Sequence, residues 1–291
     1  MFTGSLVALI TPMQEDGQVD FTALSRLVEF HIENGTVGIV AVGTTGESPT
    51  LKTEEHRAVV ETVVRQAAGR VPVIAGAGSN STAHAIELAR EMQAVGADML
   101  LSVAPYYNKP NQEGMYQHYR ALAESVALPI LLYNVPGRTV ADIANDTVLR
   151  LAQIDNIVGL KDASGNIARH CDLVRRAPAD FALYSGDDAT ALAHMLCGGH
   201  GVISVTANVA PAQMSRLCRA ALSGDIPLAR SCNDMLQDLH HRLFIEPSPA
   251  PSKWALTRLG LIQNGIRLPL LPLTAVSQQQ VEAAMKQAEV I

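Results

Sequence analysis

The chain has 291 residues, of which 48% are apolar and 17% are charged, and its formal net charge is -6 at pH 7. An acidic chain without a basic stripe does not favour binding along phosphates, so nucleic acid is not an expected partner. The sequence contains no uncharged apolar run of about 18 residues or more, and no basic segment opens it, so we expect neither a membrane span nor a signal peptide. These features predict a cytoplasmic globular protein.

The cysteine and histidine patterns do not favour a metal site. The C-x-x-C spacing of zinc sites and the density of a disulfide scaffold are both absent, which predicts buried free thiols in a reducing compartment. The histidines show no H-x-H or H-E-x-x-H spacing at strand ends. Asp187-Asp188 could hold Mg²⁺, but we interpret the pair as a helix cap, which makes fewer demands. The four cysteines stand singly, at Cys171, Cys197, Cys218 and Cys232.

Eight apolar runs rich in Val, Ile and Leu recur along the chain, and each precedes a segment with helical periodicity. Their starts lie about 20 to 33 residues apart, which is the length of a strand plus a crossover helix. The runs are continuously apolar, as is typical of parallel strands buried on both faces. They cover residues 6–12, 38–43, 71–78, 97–105, 129–136, 156–164, 181–186 and 201–209.

Amphipathic helices are expected between these runs. The segment 20–35 places its apolar residues on one face and ends in a glycine, which is a common C-terminal signal. Residues 80–82 and Asn145-Asp146 supply side-chain oxygens that can cap new helices. Residues 211–291 are predicted to be helical apart from a proline-rich interruption at 246–254, where Ser248 is expected to cap the following helix.

The pattern predicts a (β/α)8 TIM barrel over residues 1–224, followed by a C-terminal helical extension over residues 225–291. A doubly wound open sheet is the alternative. Eight consecutive units without a Gly-rich dinucleotide loop after the first strand favour the barrel. In such a barrel the active site lies at the carboxyl ends of the strands, so polar residues there are the candidates for chemistry.

Lys161 is the candidate nucleophile because it follows the apolar residues 157–160 inside a strand that should be buried. Burial disfavours the charged ammonium and increases the fraction of free amine that can attack a carbonyl. The alternative is a structural lysine paired with Asp162 or Glu47, although strand alternation puts Asp162 on the opposite face. The other lysines are predicted to lie in polar loops or helices, at Lys52, Lys109, Lys253 and Lys286.

Three further strand ends carry polar groups. The segment 43–46, Gly-Thr-Thr-Gly, could hold a small carboxylate with its hydroxyls and backbone N–H groups, or it could be a plain turn. Tyr133 ends the strand beside that of Lys161, so its phenol could exchange protons with the amine, or it could be a core tyrosine. Arg138 could form a bidentate pair with a second carboxylate, or it could be an ordinary surface arginine.

Five motifs in this order resemble the dihydrodipicolinate synthase family of class I pyruvate-dependent aldolases over essentially the whole chain. Related enzymes such as N-acetylneuraminate lyase share the barrel, the imine-forming lysine and the tyrosine. Thr44 beside Thr45, Tyr107 and above all Arg138 favour the synthase. The motifs are GTTGE (43–47), YNVPGRT (133–139), GLKDASG (159–165), SGDD (185–188) and GVISVTAN (201–208).

The resemblance implies a reaction that needs no cofactor, because the imine forms on a lysine of the chain. Lys161 would form an imine with pyruvate, and the resulting enamine would attack L-aspartate 4-semialdehyde to give 4-hydroxy-tetrahydrodipicolinate for lysine and diaminopimelate biosynthesis. Tyr133, Thr45 and Tyr107 would relay protons, with Tyr107 donated across a tight dimer interface. The family is usually a homotetramer, a dimer of dimers.

The resemblance also implies substrate and effector contacts. The backbone around Thr44 and Thr45 would hold the pyruvate carboxylate, Gly186 and Ile203 would line the same pocket, and Arg138 would receive the carboxylate of the semialdehyde. Many members are inhibited by lysine at the dimer interface, and lysine-sensitive enzymes carry a glutamate where this chain has a histidine at position 84. The residues matching that possible allosteric site are Ser48, His56, Asn80, His84 and Tyr106.

Two other functions stay open at this point. A lyase or dehydratase acting on a longer 2-keto acid would prefer a smaller or uncharged residue in place of Arg138. A barrel that only binds a keto acid as a sensor would be expected to have lost Lys161 or Tyr133, and the chain has both.

Overall fold

Eight short parallel strands close into a barrel in chain order, with β8 hydrogen-bonded to β1. The computed structural model describes residues 2–291. The predicted (β/α)8 barrel is therefore confirmed, and the open sheet is excluded. The strands are β1 (Gly4–Ala8), β2 (Gly38–Ala41), β3 (Val73–Gly76), β4 (Met99–Val103), β5 (Ile130–Asn134), β6 (Ile157–Asp162), β7 (Ala182–Ser185) and β8 (Gly201–Ser204).

Helices follow the strands and surround the barrel, and two single-turn 3₁₀ helices occupy Ser48–Thr50 and Thr206–Asn208. Within residues 2–291, no helix combines the length and apolar character needed to cross a membrane. The helices are α1 (Phe21–Glu33), α2 (Thr53–Ala67), α3 (Thr82–Ala94), α4 (Gln112–Ser125), α5 (Pro136–Thr139), α6 (Asn145–Leu151), α7 (Ile167–Arg176), α8 (Ala191–Leu196), α9 (Pro211–Ser223), α10 (Ile226–Arg242), α11 (Ala250–Arg258) and α12 (Ala275–Gln287).

Each strand is buried on both faces because alternate side chains enter two different cores. In β2, Val40 belongs to a small cluster inside the barrel, whereas Ile39 packs in the larger layer between strands and helices. Tyr133, Tyr184 and Ile203 also belong to the inner cluster. Side chains at these positions therefore point into the barrel.

One amide side chain links chain segments at the carboxyl end of the barrel. Asn208 donates from Nδ2 to the carbonyl of Ala8 at 2.8 Å and accepts the N–H of Ile10 at 3.0 Å. This bonding ties the segment after β8 to the end of β1.

The C-terminal extension returns to the carboxyl end of the barrel. A Cβ on Gly265 would lie 2.1 Å from the carbonyl oxygen of Gln14 and 2.4 Å from that of Met13, so only glycine fits. Arg267 donates to the carbonyls of Gly17 and Thr50, at 2.8 Å and 2.7 Å. The extension therefore contacts the loops that follow β1 and β2.

Some predicted helix caps differ from those found. Ser81 caps α3, as expected. Asn145 lies inside α6, whose N-cap is Ala144, because the Asn145 amide instead bonds the carbonyl of Arg169 at 3.1 Å and Asp172 at 2.9 Å. Ser248 does not cap α11, since Pro249 occupies the N-cap position.

Two further expectations from the sequence were wrong. Asp187 and Asp188 do not cap α8, which begins after Thr190: Asp187 accepts from Thr190, and Asp188 accepts the N–H of Thr206 at 2.9 Å. Of the cysteines, Cys218 and Cys232 are buried, but Cys171 and Cys197 are exposed, so only half of the set are the buried thiols expected.

Candidate active site

Lys161 lies inside the barrel in one row with two tyrosines. The parallel register pairs it with Tyr133 of β5 on one side and Tyr184 of β7 on the other. The Lys161 Nζ atom is 4.4 Å from the centroid of the Tyr133 ring, and the two side chains are only 5% and 6% exposed. An amine and a phenol are thus brought together in a largely buried site.

The two tyrosines beside Lys161 differ in their hydrogen bonds. The Tyr184 hydroxyl donates to the carbonyl of Phe2 at 2.6 Å, and burial raises the Tyr184 pKa to about 12. Among residues 2–291, no hydrogen bond involves the Tyr133 hydroxyl. Of the two phenols, Tyr133 is the one available to a substrate.

The structural alternatives for Lys161 do not apply. Asp162 points to the other face of β6, where it pairs with Arg169 at 3.0 Å. Glu47 is already paired with Lys253. No ion pair within residues 2–291 includes Lys161. Its amine therefore has no carboxylate partner among the described residues.

Lys253 was expected on a solvated helix, and this expectation was wrong. Its side chain on α11 is 1% exposed, and its ammonium donates to the carbonyl of Gly265 at 2.8 Å in addition to pairing with Glu47. Burial lowers the pKa of Lys253, while the Glu47 carboxylate opposes that shift. Two lysines are therefore buried, and only Lys161 lacks a partner.

Gly186 leaves the space that the Lys161 side chain occupies. A Cβ at position 186 would lie 2.9 Å from Cε and 3.1 Å from Cγ of Lys161. Ile203 is fully buried in the inner barrel cluster with Tyr133. Both residues pack around the lysine or its neighbour.

The Gly-Thr-Thr-Gly segment after β2 is a tight turn, closed by hydrogen bonds from Gly46 to the carbonyl of Gly43 at 3.0 Å and from Glu47 to that of Thr44 at 3.1 Å. In the described chain, the backbone N–H groups and hydroxyls of Thr44 and Thr45 donate no hydrogen bond. The segment is thus a turn that could also bind a carboxylate, because its hydrogen bonds leave these donors free.

Arg138 lies on α5, directly after β5, and is exposed. No ion pair or side-chain hydrogen bond of residues 2–291 involves it, so its guanidinium is available to an anion. The loop behind it is held by Arg169, which bonds Asp142 at 2.9 Å and the carbonyl of Ile143, and by Asn134, which bonds Asp142 at 2.8 Å. The sequence motifs do not predict these anchoring contacts.

These elements surround one cavity of about 470 Å³. Thr44, Tyr133 and Arg138 line it. Lys161 does not line the cavity itself but lies beside the Tyr133 ring, and Thr45, Gly186 and Ile203 are likewise outside the lining. The same cavity is also lined by four of the five possible allosteric residues, Ser48, His56, His84 and Tyr106.

The possible allosteric residues are only partly brought together. His56 is buried and donates from Nε2 to the carbonyl of Gly76 at 2.8 Å, and burial lowers its pKa. His84 is half-exposed and lies 3.5 Å from Glu87. Asn80 is outside the cavity lining, and its carbonyl accepts a hydrogen bond from Asn108.

Tyr107 lies outside the cavity and is 88% exposed. Its backbone has a φ of 72°, which is uncommon for a residue other than glycine. In a single chain it touches none of the reactive groups described above. Exposed Val140 lies close by, since the Tyr107 N–H donates to the carbonyl of Thr139 at 3.5 Å.

The site has the groups needed for covalent carbonyl chemistry. The Lys161 amine can add to a ketone, the Tyr133 phenol can move protons, and the free N–H groups of the turn and Arg138 can each bind a carboxylate. Within residues 2–291, no group of three or more His, Cys, Asp or Glu side chains is placed to hold a metal ion.

Sequence reasoning missed the roles of Lys253 and of the anchoring residues Arg169, Asn134 and Asp142, and it named Glu47 only as a possible partner of Lys161. Lys253 and Glu47 lie about 200 residues apart along the chain, and Arg169 meets Asp142 and Asp162 only through the packing of α7 on the barrel, so no local motif reveals these pairs. The only local indication that Lys253 is buried is the set of apolar residues around it on α11. Its burial follows from the packing of that helix on the barrel.

Known proteins resemble this chain over its full length. A curated 4-hydroxy-tetrahydrodipicolinate synthase of Laribacter hongkongensis is 68% identical, and the match covers 100% of both chains. The crystal structure of the chloride-inhibited dihydrodipicolinate synthase of Acinetobacter baumannii complexed with pyruvate has a TM-score of 0.98, with 52% identity and full coverage of both chains.

A more distant solved structure, the Cyanidioschyzon merolae enzyme with lysine bound, has a TM-score of 0.97 and 40% identity, and covers 100% of this chain and 99% of its own. The model of the dihydrodipicolinate synthetase family matches residues 1–288. This chain belongs to the dihydrodipicolinate synthetase family.

Proposed function

We propose that the chain condenses pyruvate with L-aspartate 4-semialdehyde to give 4-hydroxy-tetrahydrodipicolinate, in lysine and diaminopimelate biosynthesis. The observation that carries the proposal is the unpaired amine of Lys161, 4.4 Å from the ring centroid of Tyr133. The full-length relatives with this activity in their names support it.

The chemistry begins with the Lys161 amine adding to the keto carbon of pyruvate, and water leaves to give a protonated imine. The imine draws electrons from the methyl group, which loses a proton and becomes a nucleophilic enamine carbon. That carbon attacks the aldehyde of the semialdehyde, whose oxygen takes up a proton. The amino group of the second substrate then displaces the Lys161 amine and closes the ring.

Proton movements are assigned to Tyr133 and Thr45, with Tyr107 from a second copy completing the relay. The free hydroxyl of Tyr133 supports its role. The free N–H groups at Thr44 and Thr45 suit the pyruvate carboxylate, while Gly186 and Ile203 shape the space around Lys161. No cofactor is required, because the imine itself supplies the electron sink.

Arg138 distinguishes this reaction from that of a lyase or dehydratase of the same family. Its guanidinium faces the cavity without a carboxylate of the chain, which suits the carboxylate of the semialdehyde. A longer 2-keto acid with a single carboxylate would leave this charge without a partner at that position.

We propose that the enzyme is cytoplasmic. We also propose that it is a homo-oligomer, at least a dimer and, as is usual in the family, a homotetramer. Four free thiols, two of them exposed, fit a reducing compartment. Exposed Tyr107 and Val140 next to the cavity form an apolar surface that suits a second copy of the chain.

The proposal is tested by trapping and by product formation. Borohydride added with pyruvate should fix one adduct of pyruvate mass on Lys161 and abolish activity, whereas the Lys161→Met variant should acquire none. An adduct on Lys109 or Lys253 would contradict the imine assignment. Faster turnover of pyruvate with N-acetylmannosamine than with aspartate semialdehyde would identify a lyase instead.

A further inference from the structure

A buried ion pair joins the C-terminal extension to the turn that carries Thr44 and Thr45. The ammonium of Lys253 contacts the carboxylate of Glu47, and both side chains are only 1% exposed. Glu47 comes directly after the Gly-Thr-Thr-Gly turn, whereas Lys253 lies on α11. The pair therefore links the turn to a helix outside the barrel.

Glu47 adopts a backbone conformation that requires support. Its φ and ψ angles are 58° and 35°, in the left-handed region that residues with a side chain seldom occupy. The residue also closes the turn, because its N–H bonds the carbonyl of Thr44 and its own carbonyl accepts from the N–H of Thr50. The position of Glu47 is thus coupled directly to that of Thr44.

The carboxylate of Glu47 is held from the side away from the cavity. Gly43, Thr44 and Ser48 line the cavity, but Glu47 does not. Besides Lys253, the backbone N–H of Arg267 lies 3.4 Å from Glu47. The Arg267 guanidinium in turn binds Glu55, so the extension contacts the chain on both sides of the 3₁₀ helix that follows the turn.

A buried ion pair contributes little to the net stability of the fold. Removing two charges from water costs about as much as their attraction returns, and apolar residues of similar volume are often at least as stabilising. A fixed pair of opposite charges does, however, restrict position more tightly than an apolar contact. A small displacement of a group that holds a substrate can slow a reaction by about a hundredfold.

We infer that Lys253 is a positioning residue for the pyruvate site, acting through Glu47 to hold the Thr44–Thr45 turn, whose backbone and hydroxyl donors are free, in place beside the cavity that Thr44 lines. It touches no substrate. The inference rests on the proposed function and extends it to a residue that lies outside the barrel.

The test compares Lys253→Met and Glu47→Gln, which keep side-chain volume but remove one charge each. We expect the KM for pyruvate to rise by about 10-fold or more and borohydride trapping at low pyruvate to slow in parallel. The KM for aspartate semialdehyde should change by less than about twofold, since Arg138 lies on α5 and not on this turn. The control is Arg258→Met, on the same helix as Lys253. It removes the surface pair of Arg258 with Glu282 of α12 and should change neither KM.

The possible outcomes separate the two proposals. A lowered melting temperature with both KM values unchanged would show a purely structural role and overturn the inference, as would an equal rise of both KM values. If Lys253→Met does not fold, Glu47→Gln decides, and failure of both to fold would mean that the pair serves the fold itself. Wild-type protein that traps no pyruvate would instead overturn the proposed function.

Discussion

The reactivity of Lys161 depends on the partners that its amine lacks. Each carboxylate that could have neutralised it has another cation: Asp162 has Arg169, and Glu47 has Lys253. The inner face of the barrel offers Lys161 an aromatic ring instead, which stabilises a cation less than a carboxylate does when buried. The Lys161 amine is therefore not held in an ion pair with either carboxylate.

Arg138→Ala should impair use of the semialdehyde far more than use of pyruvate. Losing a bidentate carboxylate pair costs on the order of 2 to 5 kcal/mol, while the proposed pyruvate contacts are on the turn after β2. Steady-state kinetics with each substrate varied in turn, together with borohydride trapping of pyruvate, measure the difference. Arg150→Ala, at an exposed arginine paired with Glu113, is the control. Equal loss for both substrates would mark Arg138 as structural.

His84 predicts weak or absent inhibition by lysine. An imidazole near neutral pH does not supply the carboxylate that lysine-sensitive relatives are expected to place against the ammonium group of the effector. Losing one charge-assisted contact costs about 1.5 to 3 kcal/mol, or roughly 10- to 150-fold in affinity.

Dose–response curves at fixed pyruvate test this prediction, with millimolar lysine expected to inhibit little. The His84→Glu variant should gain sensitivity, because His84 already lines the cavity together with His56 and Tyr106. Strong inhibition of the unaltered enzyme at submillimolar lysine would show that the remaining contacts suffice.

Helix α7 is fastened to β6 and to the loop after α5 by a single side chain. Arg169 pairs with Asp162 and with Asp142, and it also donates to the carbonyl of Ile143. Arg169 and Asp162 are both largely buried, at 12% and 8% exposure. Arg169 thus connects α7, β6 and the loop that follows α5, the helix that carries Arg138.

Arg169→Met should lower the free energy of unfolding by about 3 to 5 kcal/mol, because it leaves the Asp162 carboxylate buried without its cation. Arg175→Met on the same helix removes an exposed pair with Asp172 and should cost less than about 1 kcal/mol. Urea unfolding of the two variants provides the comparison. Similar losses for both would show that burial of the Arg169 pair is unimportant.

Elements of this fold were predictable where the signal is local. Strands buried on both faces appear as continuous apolar runs, so all eight were found, and the place of Lys161 in one of them followed directly. The predicted N-caps of α6 and α11 were wrong. The Asn145 side chain bonds α7 instead of capping α6, and Pro249 occupies the N-cap position of α11 in place of Ser248. The burial of Lys253 depends on how an outer helix packs on the barrel, which no pattern within α11 expresses.

The molecule as a whole should lose stability as the pH falls below about 6.5, before most carboxylates titrate. Burial lowers the pKa of His31 and His194 to about 3, and that of His118 to about 4. Unfolding restores ordinary values near 6.5, so the unfolded state binds more protons below that pH and is favoured. Between pH 6.5 and 5, His31 and His194 should each cost roughly 2 kcal/mol.

Below about pH 4.5 paired carboxylates add to this loss. Arg267 holds the pKa of Glu55 at about 2, so protonation of Glu55 favours the unfolded chain there. Urea unfolding at pH 8, 6 and 5 measures the histidine range. His31→Gln should flatten the dependence, while His241→Gln, at an exposed position, should not. Constant stability from pH 8 to 5 would contradict the assignment.

The contact between the extension and the turn after β2 also has a consequence for synthesis. A chain emerging from the ribosome has made all eight strands by Ser204 and the last barrel helix by Ser223, but Lys253 and Arg267 follow later. A barrel that has already closed therefore still lacks the groups that fix Glu47. A segment translated after the barrel strands thus contacts a turn translated early, and the ion pair that holds Glu47 can form only once α11 has been made.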